Sequence, residues 1–227
     1  MRKKSKRKNK GKGKVKDEDT KPLALLKLES MRKKSRQKYF ARLRRSFVSS
    51  SKIDQTLEML KKIHEKAPVE KILIFSQFTS LLDLLEIPIS DANYDYRRYD
   101  GSMSPDERTK AALEFKMTST CTIMLISLKA GNAGLNLNCA SQVIILDPFW
   151  NPFIEEQAID REHRIGPMRA VHVHRVLVQG TVEDRIIQMQ ERKRAFISKA
   201  LDENAGKNIS RLSVQELAFL FGRSLHK

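Results

Sequence analysis

Arg161 and Arg164 sit in the run Asp160-Arg161-Glu162-His163-Arg164-Ile165-Gly166. On a helix this spacing is close to one turn, so both guanidiniums can project from one face toward a shared anion. A guanidinium stays charged at any working pH and matches two phosphate oxygens at once. Held against a transferring phosphate, such an arginine contributes about 10³- to 10⁵-fold in rate. Basic chains also place arginines this way on solvated faces and in structural ion pairs. The pair therefore takes its meaning from what precedes it.

Four upstream stretches share a placement, each directly after a strand candidate. They are Ser76-Gln77, Asp100-Gly101-Ser102, the segment Ser127-Leu128-Lys129-Ala130-Gly131-Asn132-Ala133-Gly134-Leu135-Asn136-Leu137, and Asp147-Pro148-Phe149-Trp150-Asn151-Pro152. Hydroxyls, a lysine and glycines with accessible backbone N–H groups suit a phosphate backbone. An aromatic at the rim can stack on a base or sugar. Singly each has an ordinary reading: turn glycines, a packing tryptophan, a solvated lysine. His172 and His174 alternate along a strand and face one side, which favours surface or packing roles over metal binding.

The elements that must position these stretches are legible as runs and caps. Ile72–Phe75, Tyr94–Tyr99, Ile123–Ile126, Val143–Leu146 and Val171–Val178 read as strands, the second weaker than the rest. Ser49-Ser50-Ser51 offers an N-cap to a helix with Ile53, Leu57, Leu60 and Ile63 at helical spacing. Further helices are expected over 79–85, from Ser104-Pro105-Asp106-Glu107 through Phe115, from about Ile154, and after Thr181. Ser213-Val214-Gln215-Glu216 is a second capping box. It predicts a short amphipathic helix docking on the body or on a partner lobe. Apolar strands separated by helices imply a parallel sheet covered on both faces. The expected fold is a right-handed, doubly wound α/β domain, with its site at the carboxyl ends of the strands.

The charge of +17 is concentrated in the head: residues 1–52 hold 21 Lys/Arg against 4 Asp/Glu, and 53–227 balance to zero. Residues 1–22 read as a disordered basic tail, because they lack the apolar surface to offset chain entropy. Such a tail suits nuclear import or DNA contact, or serves only as a solubilising tail. Residues 23–52 are expected to be a basic helical linker, 53–187 the main lobe, and 188–227 C-terminal brace and docking helices. No apolar segment follows the head as in a signal peptide, and none approaches the length of a membrane span. Cys121 and Cys139 form no disulfide framework and no zinc motif; reduced thiols fit a nuclear compartment.

From about Lys71 to Ile187 the motifs occur in a recognisable order. Ile72-Leu73-Ile74-Phe75-Ser76-Gln77-Phe78, Tyr99-Asp100-Gly101-Ser102-Met103, Ser127-Leu128-Lys129-Ala130-Gly131 and Gly134-Leu135-Asn136-Leu137 come first. Trp150-Asn151-Pro152, Gln157-Ala158-Ile159-Asp160-Arg161, His163-Arg164-Ile165-Gly166 and Thr181-Val182-Glu183-Asp184-Arg185-Ile186 follow. Together they resemble the C-terminal, second RecA-like lobe of Swi/Snf-type superfamily-two ATP-dependent DNA translocases, with wording most like the RING-bearing DNA-repair branch.

The resemblance implies that Arg161 and Arg164 are arginine fingers reaching toward ATP on another lobe. It implies that Gln157, Gly134 and Asn136 lie near the nucleotide, and that Ser127, Lys129 and Gly131 grip the tracking strand. Ser76, Gln77, Gly101 and Ser102 would be neighbouring DNA contacts. Trp150 and Asn151 would form the loop coupling DNA to the cleft. It further implies ATP as cofactor, Mg²⁺ held by a first RecA-like lobe in cis or trans, and no metal bound by this lobe itself. The implied partner is duplex DNA, with nucleosomes left open, and the implied compartment is nuclear.

Two features depart from the family pattern. Pro167 follows Gly166 where the family usually has glutamine, removing a side chain and a backbone donor. The chain also has no G-x-x-x-x-G-K-[ST] loop and no acidic run to hold Mg²⁺. It is therefore expected to be inactive without a first lobe. A second reading stays open, that of a non-enzymatic DNA-binding or interaction module derived from such a motor.

Overall fold

Short apolar runs become strands where both faces of a sheet must be covered, and five form here. The computed structural model describes residues 33–131, 137–160, 170–199 and 212–222. The described residues fall in two units, divided between Ser46 and Phe47. In the first, helix α1 (Lys33–Arg45) ends on Arg42, Arg44 and Arg45, cations that suit the negative end of a helix dipole. The expected disordered tail, residues 1–22, lies outside the described residues.

The second unit holds β1 (Ile72–Ser76), β2 (Asp95–Tyr99), β3 (Cys121–Ser127), β4 (Gln142–Ile145) and β5 (His172–Arg175). Their order across the sheet is β2-β3-β1-β4-β5, and every neighbouring pair is parallel. The three central strands are buried along their whole length, which is why they read as unbroken apolar runs. Edge strand β5 is only partly covered and carries alternating histidines instead. His174 Nε2 lies 2.9 Å from Gln142 Oε1, a packing role on the edge.

Period-two alternation sends each strand's side chains to two separate cores. Ile72, Ile74, Ile123, Leu125 and Ile144 pack with Ile53 and Leu60 of α2 (Ser51–Lys66) and with Leu82, Leu85 and Ile89 of α3 (Thr79–Asp91). On the other face Leu73, Phe75, Met124, Ile126, Val143 and Ile145 meet Phe115 of α4 (Pro105–Met117). The short helical turn α5 (Leu128–Gly131) and Ala158 of α6 (Pro152–Asp160) join them. The crossover from β1 to β2 runs toward one edge under α3. The later crossovers run the opposite way and use the opposite face. A uniform hand of crossover requires that exchange of faces, so the doubly wound expectation holds.

The caps behave as their residues dictate. Ser50 Oγ accepts from Ile53 N at the start of α2. Ser104 and Glu107 complete a reciprocal capping box at α4, with Pro105 at the first helical position. Helix α3 runs past Leu85 to Asp91 although Pro88 lies inside it. The missing N–H weakens that turn, but burial of Ile87 and Ile89 on either side carries the helix on. Beyond β5 come α7 (Val182–Lys199) and α8 (Val214–Leu220), the latter opened by the predicted box of Ser213 and Glu216. Burial pushes the Cys121 thiol up to about 11, so it packs as an inert apolar residue. Among the described residues no helix is long and apolar enough to cross a membrane.

Candidate nucleotide and nucleic-acid interface

A parallel sheet brings the carboxyl ends of β1, β2, β3 and β4 to one edge, and the four stretches that follow those strands gather there. At β1, Ser76 is fully buried and its hydroxyl donates to Asp147 Oδ1 at 2.5 Å. The Gln77 backbone N–H donates to Asp147 Oδ2 at 2.8 Å, and Gln77 Nε2 reaches the Pro148 carbonyl at 3.3 Å. One carboxylate thus ties the end of β1 to the loop after β4. Burial raises the Asp147 pKa above the usual carboxylate range, against the pull of its bonds to Ser76 and Gln77.

At β2, Asp100 Oδ1 accepts from Ser102 N at 2.8 Å and from the Ser102 hydroxyl at 2.5 Å. Its Oδ2 accepts from Arg98 Nε at 2.8 Å. Arg98 is buried and also holds Glu86 at 2.8 Å and Asp83 at 3.1 Å, so one cation organises three carboxylates. Burial works against charge on Asp100, but Arg98 and Ser102 outweigh it and keep its pKa below the usual range. The folded turn leaves Gly101 and Ser102 exposed. No atom lies within 4 Å of where a Cβ on Gly101 would sit.

At β3 the expected Gly-rich turn begins as the helical turn α5. Ser127 is buried and its Oγ accepts from Ala130 N at 3.3 Å, capping that turn. Lys129 is exposed. Gly131 is buried, and a Cβ there would come within 3.1 Å of the Phe75 ring and 3.2 Å of Ile126. Its identity follows from close approach of α5 to β1 and β3. Gly134 and Asn136 lie outside the described residues.

After β4 the chain turns into α6. Asn151 is buried, and its Oδ1 accepts from Phe153 N at 3.2 Å, just ahead of Pro152 at the first position of the helix. Half-buried Trp150 packs on Phe149, with ring centroids 5.5 Å apart. Gln157 is exposed on α6, which leads directly in sequence to Arg161. Arg161 and Arg164 themselves lie outside the described residues, as does Pro167.

Several residues that hold this edge together were not singled out from the sequence. Lys52, in the first turn of α2, donates to the carbonyls of Leu146 and Val176 at 2.5 and 3.2 Å and pairs with Glu183 at 2.6 Å. Glu155 has no exposure; it accepts from Phe149 N at 2.6 Å and from Gln190 at 2.8 Å, and pairs with Arg175 at 3.4 Å. No periodicity marks them, since each is a charged residue in a helix that reads equally well as solvent-facing. Among the described residues no group of three or more His, Cys, Asp or Glu converges to hold a metal ion.

A five-stranded parallel sheet with helices on both faces and its loops gathered at the carboxyl edge defines a RecA-like α/β lobe. The family model for the helicase conserved C-terminal domain matches residues 51–166, and the chain belongs to that family. Over 178 residues it is 49% identical to an uncharacterized ATP-dependent helicase of Schizosaccharomyces pombe, covering 78% of this chain and 17% of that protein. It is 45% identical over 177 residues to the DNA repair protein RAD5B of Arabidopsis thaliana, covering 78% and 14%. The SWI2/SNF2 ATPase core domain of Sulfolobus solfataricus superposes with a TM-score of 0.58 at 29% identity, covering 78% of this chain and 35% of that one. The chain is thus a helicase C-terminal lobe of the Swi/Snf type. It spans less than a fifth of the length of these two curated relatives.

Proposed function

We propose that this chain is the second motor lobe of an ATP-dependent DNA translocase acting in DNA repair or chromatin remodelling in the nucleus. The observation that carries the reading is the split at the carboxyl edge. Lys129, Gly101 and Ser102 are exposed there, while buried partners fix the loops that bear them. An exposed ammonium and hydroxyl beside an open glycine suit the phosphates of a nucleic-acid backbone.

Gln77 and Trp150 lie close behind that rim, and Ser76, Ser127, Gly131 and Asn151 set its shape from within. ATP, when bound, supplies the phosphoryl-transfer energy of the cycle. This chain's part is to present Arg161 and Arg164 from the segment after α6, with Gln157 and the 134–136 loop near the nucleotide. The phosphate loop and Mg²⁺ belong to a first lobe. Electrostatic stabilisation of the transferring phosphate is then divided between two lobes, and closing the cleft assembles the site. The basic head adds salt-sensitive, sequence-independent affinity for DNA.

The test is ATP hydrolysis by this chain combined with the first lobe of a close relative, in the presence of duplex DNA. Arg161→Ala and Arg164→Ala should each lower kcat by about 10³-fold or more. Activity untouched by both substitutions would remove the finger assignment and favour the non-enzymatic reading, for which Pro167 speaks. In that case deleting residues 1–52 should abolish most DNA affinity.

A further inference from the structure

The helix pair at the C-terminal end grips the segment that leads to the arginines, and does so through one face of α7. Gln190 is buried, and its Nε2 donates to the Phe149 carbonyl at 2.5 Å and to Glu155 Oε1 at 2.8 Å. The Lys193 ammonium lies 4.5 Å from the centre of the Trp150 ring. Arg194 Nε donates to Glu156 at 2.7 Å. Positions 190, 193 and 194 share one helical face. These partners lie between Phe149 and Glu156, across the turn from the β4 loop into α6.

Lys193 is shared with a second element. Its Nζ also pairs with Glu216 of α8 at 2.8 Å, and its side chain is only 11% exposed. Glu216 is held in turn by the capping box with Ser213. Burial opposes its charge, yet Lys193 and Ser213 keep its pKa below the usual range. Two further contacts seat α8 on α7: Arg185 Nη1 donates to the Leu220 carbonyl at 2.9 Å, and the Arg192 guanidinium lies 4.5 Å from the Phe219 ring centre. Gly222 sits at a φ of +67°, and a Cβ there would meet Arg185 Nη1 at 2.8 Å.

We infer that Lys193 is a positioning residue for the Trp150 turn and the start of α6, the helix that leads in sequence to Arg161, and that docking of α8 through Glu216 sets its position. With α8 docked, the ammonium is fixed between a carboxylate and an indole, and the Trp150 turn and the start of α6 are held against α7. With α8 undocked, Lys193 loses its anchor, Trp150 loses its cover, and of the α7 contacts on the start of α6 only those of Gln190 and Arg194 remain. Helix α6, which leads in sequence to Arg161, then samples more positions, and the C-terminal helix acts as a control on the Trp150 turn. The consequence for catalysis rests on the proposed role of Arg161 and Arg164; the mechanical link does not.

Trp150 is the single tryptophan of the chain, so its fluorescence reports the link without ATP, DNA or a first lobe. The experiment uses the full chain with Lys193→Met, Lys193→Arg and Glu216→Gln. It measures acrylamide quenching of Trp150 and hydrogen exchange of the amides between 149 and 160. Lys193→Met and Glu216→Gln should each raise the quenching constant, by about two- to threefold for the former. Both should speed exchange in 149–160 while β1 and β3 stay protected. Lys193→Arg should restore the wild-type values, because a guanidinium can make both contacts. Unchanged quenching and exchange in Lys193→Met and Glu216→Gln would overturn the inference and leave the finger assignment standing. Faster exchange throughout the sheet would overturn it as well, since that marks general loss of stability. If the link holds but Arg161→Ala and Arg164→Ala leave hydrolysis intact, only the catalytic role fails.

Discussion

Ser76, Ser127, Gly131 and Asn151 differ from Gly101, Ser102, Lys129 and Gln157 in one respect that decides what each group can do. The first four are buried. Their polar atoms serve the fold: Ser76 is bonded to Asp147, Ser127 to Ala130 N and Asn151 to Phe153 N, and Gly131 makes room for Phe75. The second four are exposed, and at Gly101 the backbone faces open space. A motif read as one string of contacts is thus two layers, an inner one that fixes loops and an outer one open to solvent and so to a ligand. Substitutions in the inner layer should act through stability, and those in the outer layer through binding.

The largest expected break in that division lies beneath the β2 turn. Arg98→Ala leaves Asp83, Glu86 and Asp100 around a vacated buried site, and removing one partner of such a group costs about 3–5 kcal/mol. Urea unfolding at pH 7 should show it as a lower midpoint. The pH dependence should also change sign. In the wild type the folded pKa of Asp100 is lowered, so its contribution is fully present above its unfolded value of 3.8 and is lost as pH falls through the folded value. In Arg98→Ala the three carboxylates repel one another, so acidification toward pH 4 should stabilise the variant.

Ser76→Ala should be next in size. It strips a hydroxyl from a buried carboxylate, at a cost of about 1–3 kcal/mol. Thermal unfolding would read it directly, and a change below 0.5 kcal/mol would move Ser76 out of the inner layer. The smallest stability effect belongs to Lys129→Ala, within about ±0.5 kcal/mol. Its effect should appear instead in binding of duplex DNA, weakened for all sequences alike, with a salt slope reduced by about one. Lost stability with unchanged DNA affinity would reverse the two layers at this position.

Much of this was legible in the sequence, and the reason differs by element. Buried parallel strands such as Ile72–Phe75 and Ile123–Ile126 read plainly, because burial on both faces demands unbroken apolar runs. Ser104 with Glu107 and Ser213 with Glu216 read plainly too, since a capping box is set by four local residues. The division of the motifs into layers was not legible. Whether the Ser76 hydroxyl faces a ligand or Asp147 depends on a residue 71 positions away. Lys52, Glu155 and Lys193 escaped notice for the same reason. Their partners Glu183, Gln190 and Trp150 are distant in sequence, and a single charged residue in a helix carries no periodic signal. Helix α3 ran past its expected end because tertiary burial of Ile87 and Ile89 overrode the local signal of Pro88.

The most direct test of the central reading is ATP turnover, with duplex DNA present, by this chain alone, by a first lobe alone, and by the two together. A divided site predicts no measurable turnover by either lobe alone and DNA-stimulated turnover by the pair. Robust DNA-stimulated turnover by the 227-residue chain alone would contradict it. That result would mean this chain carries a complete phosphate site of its own.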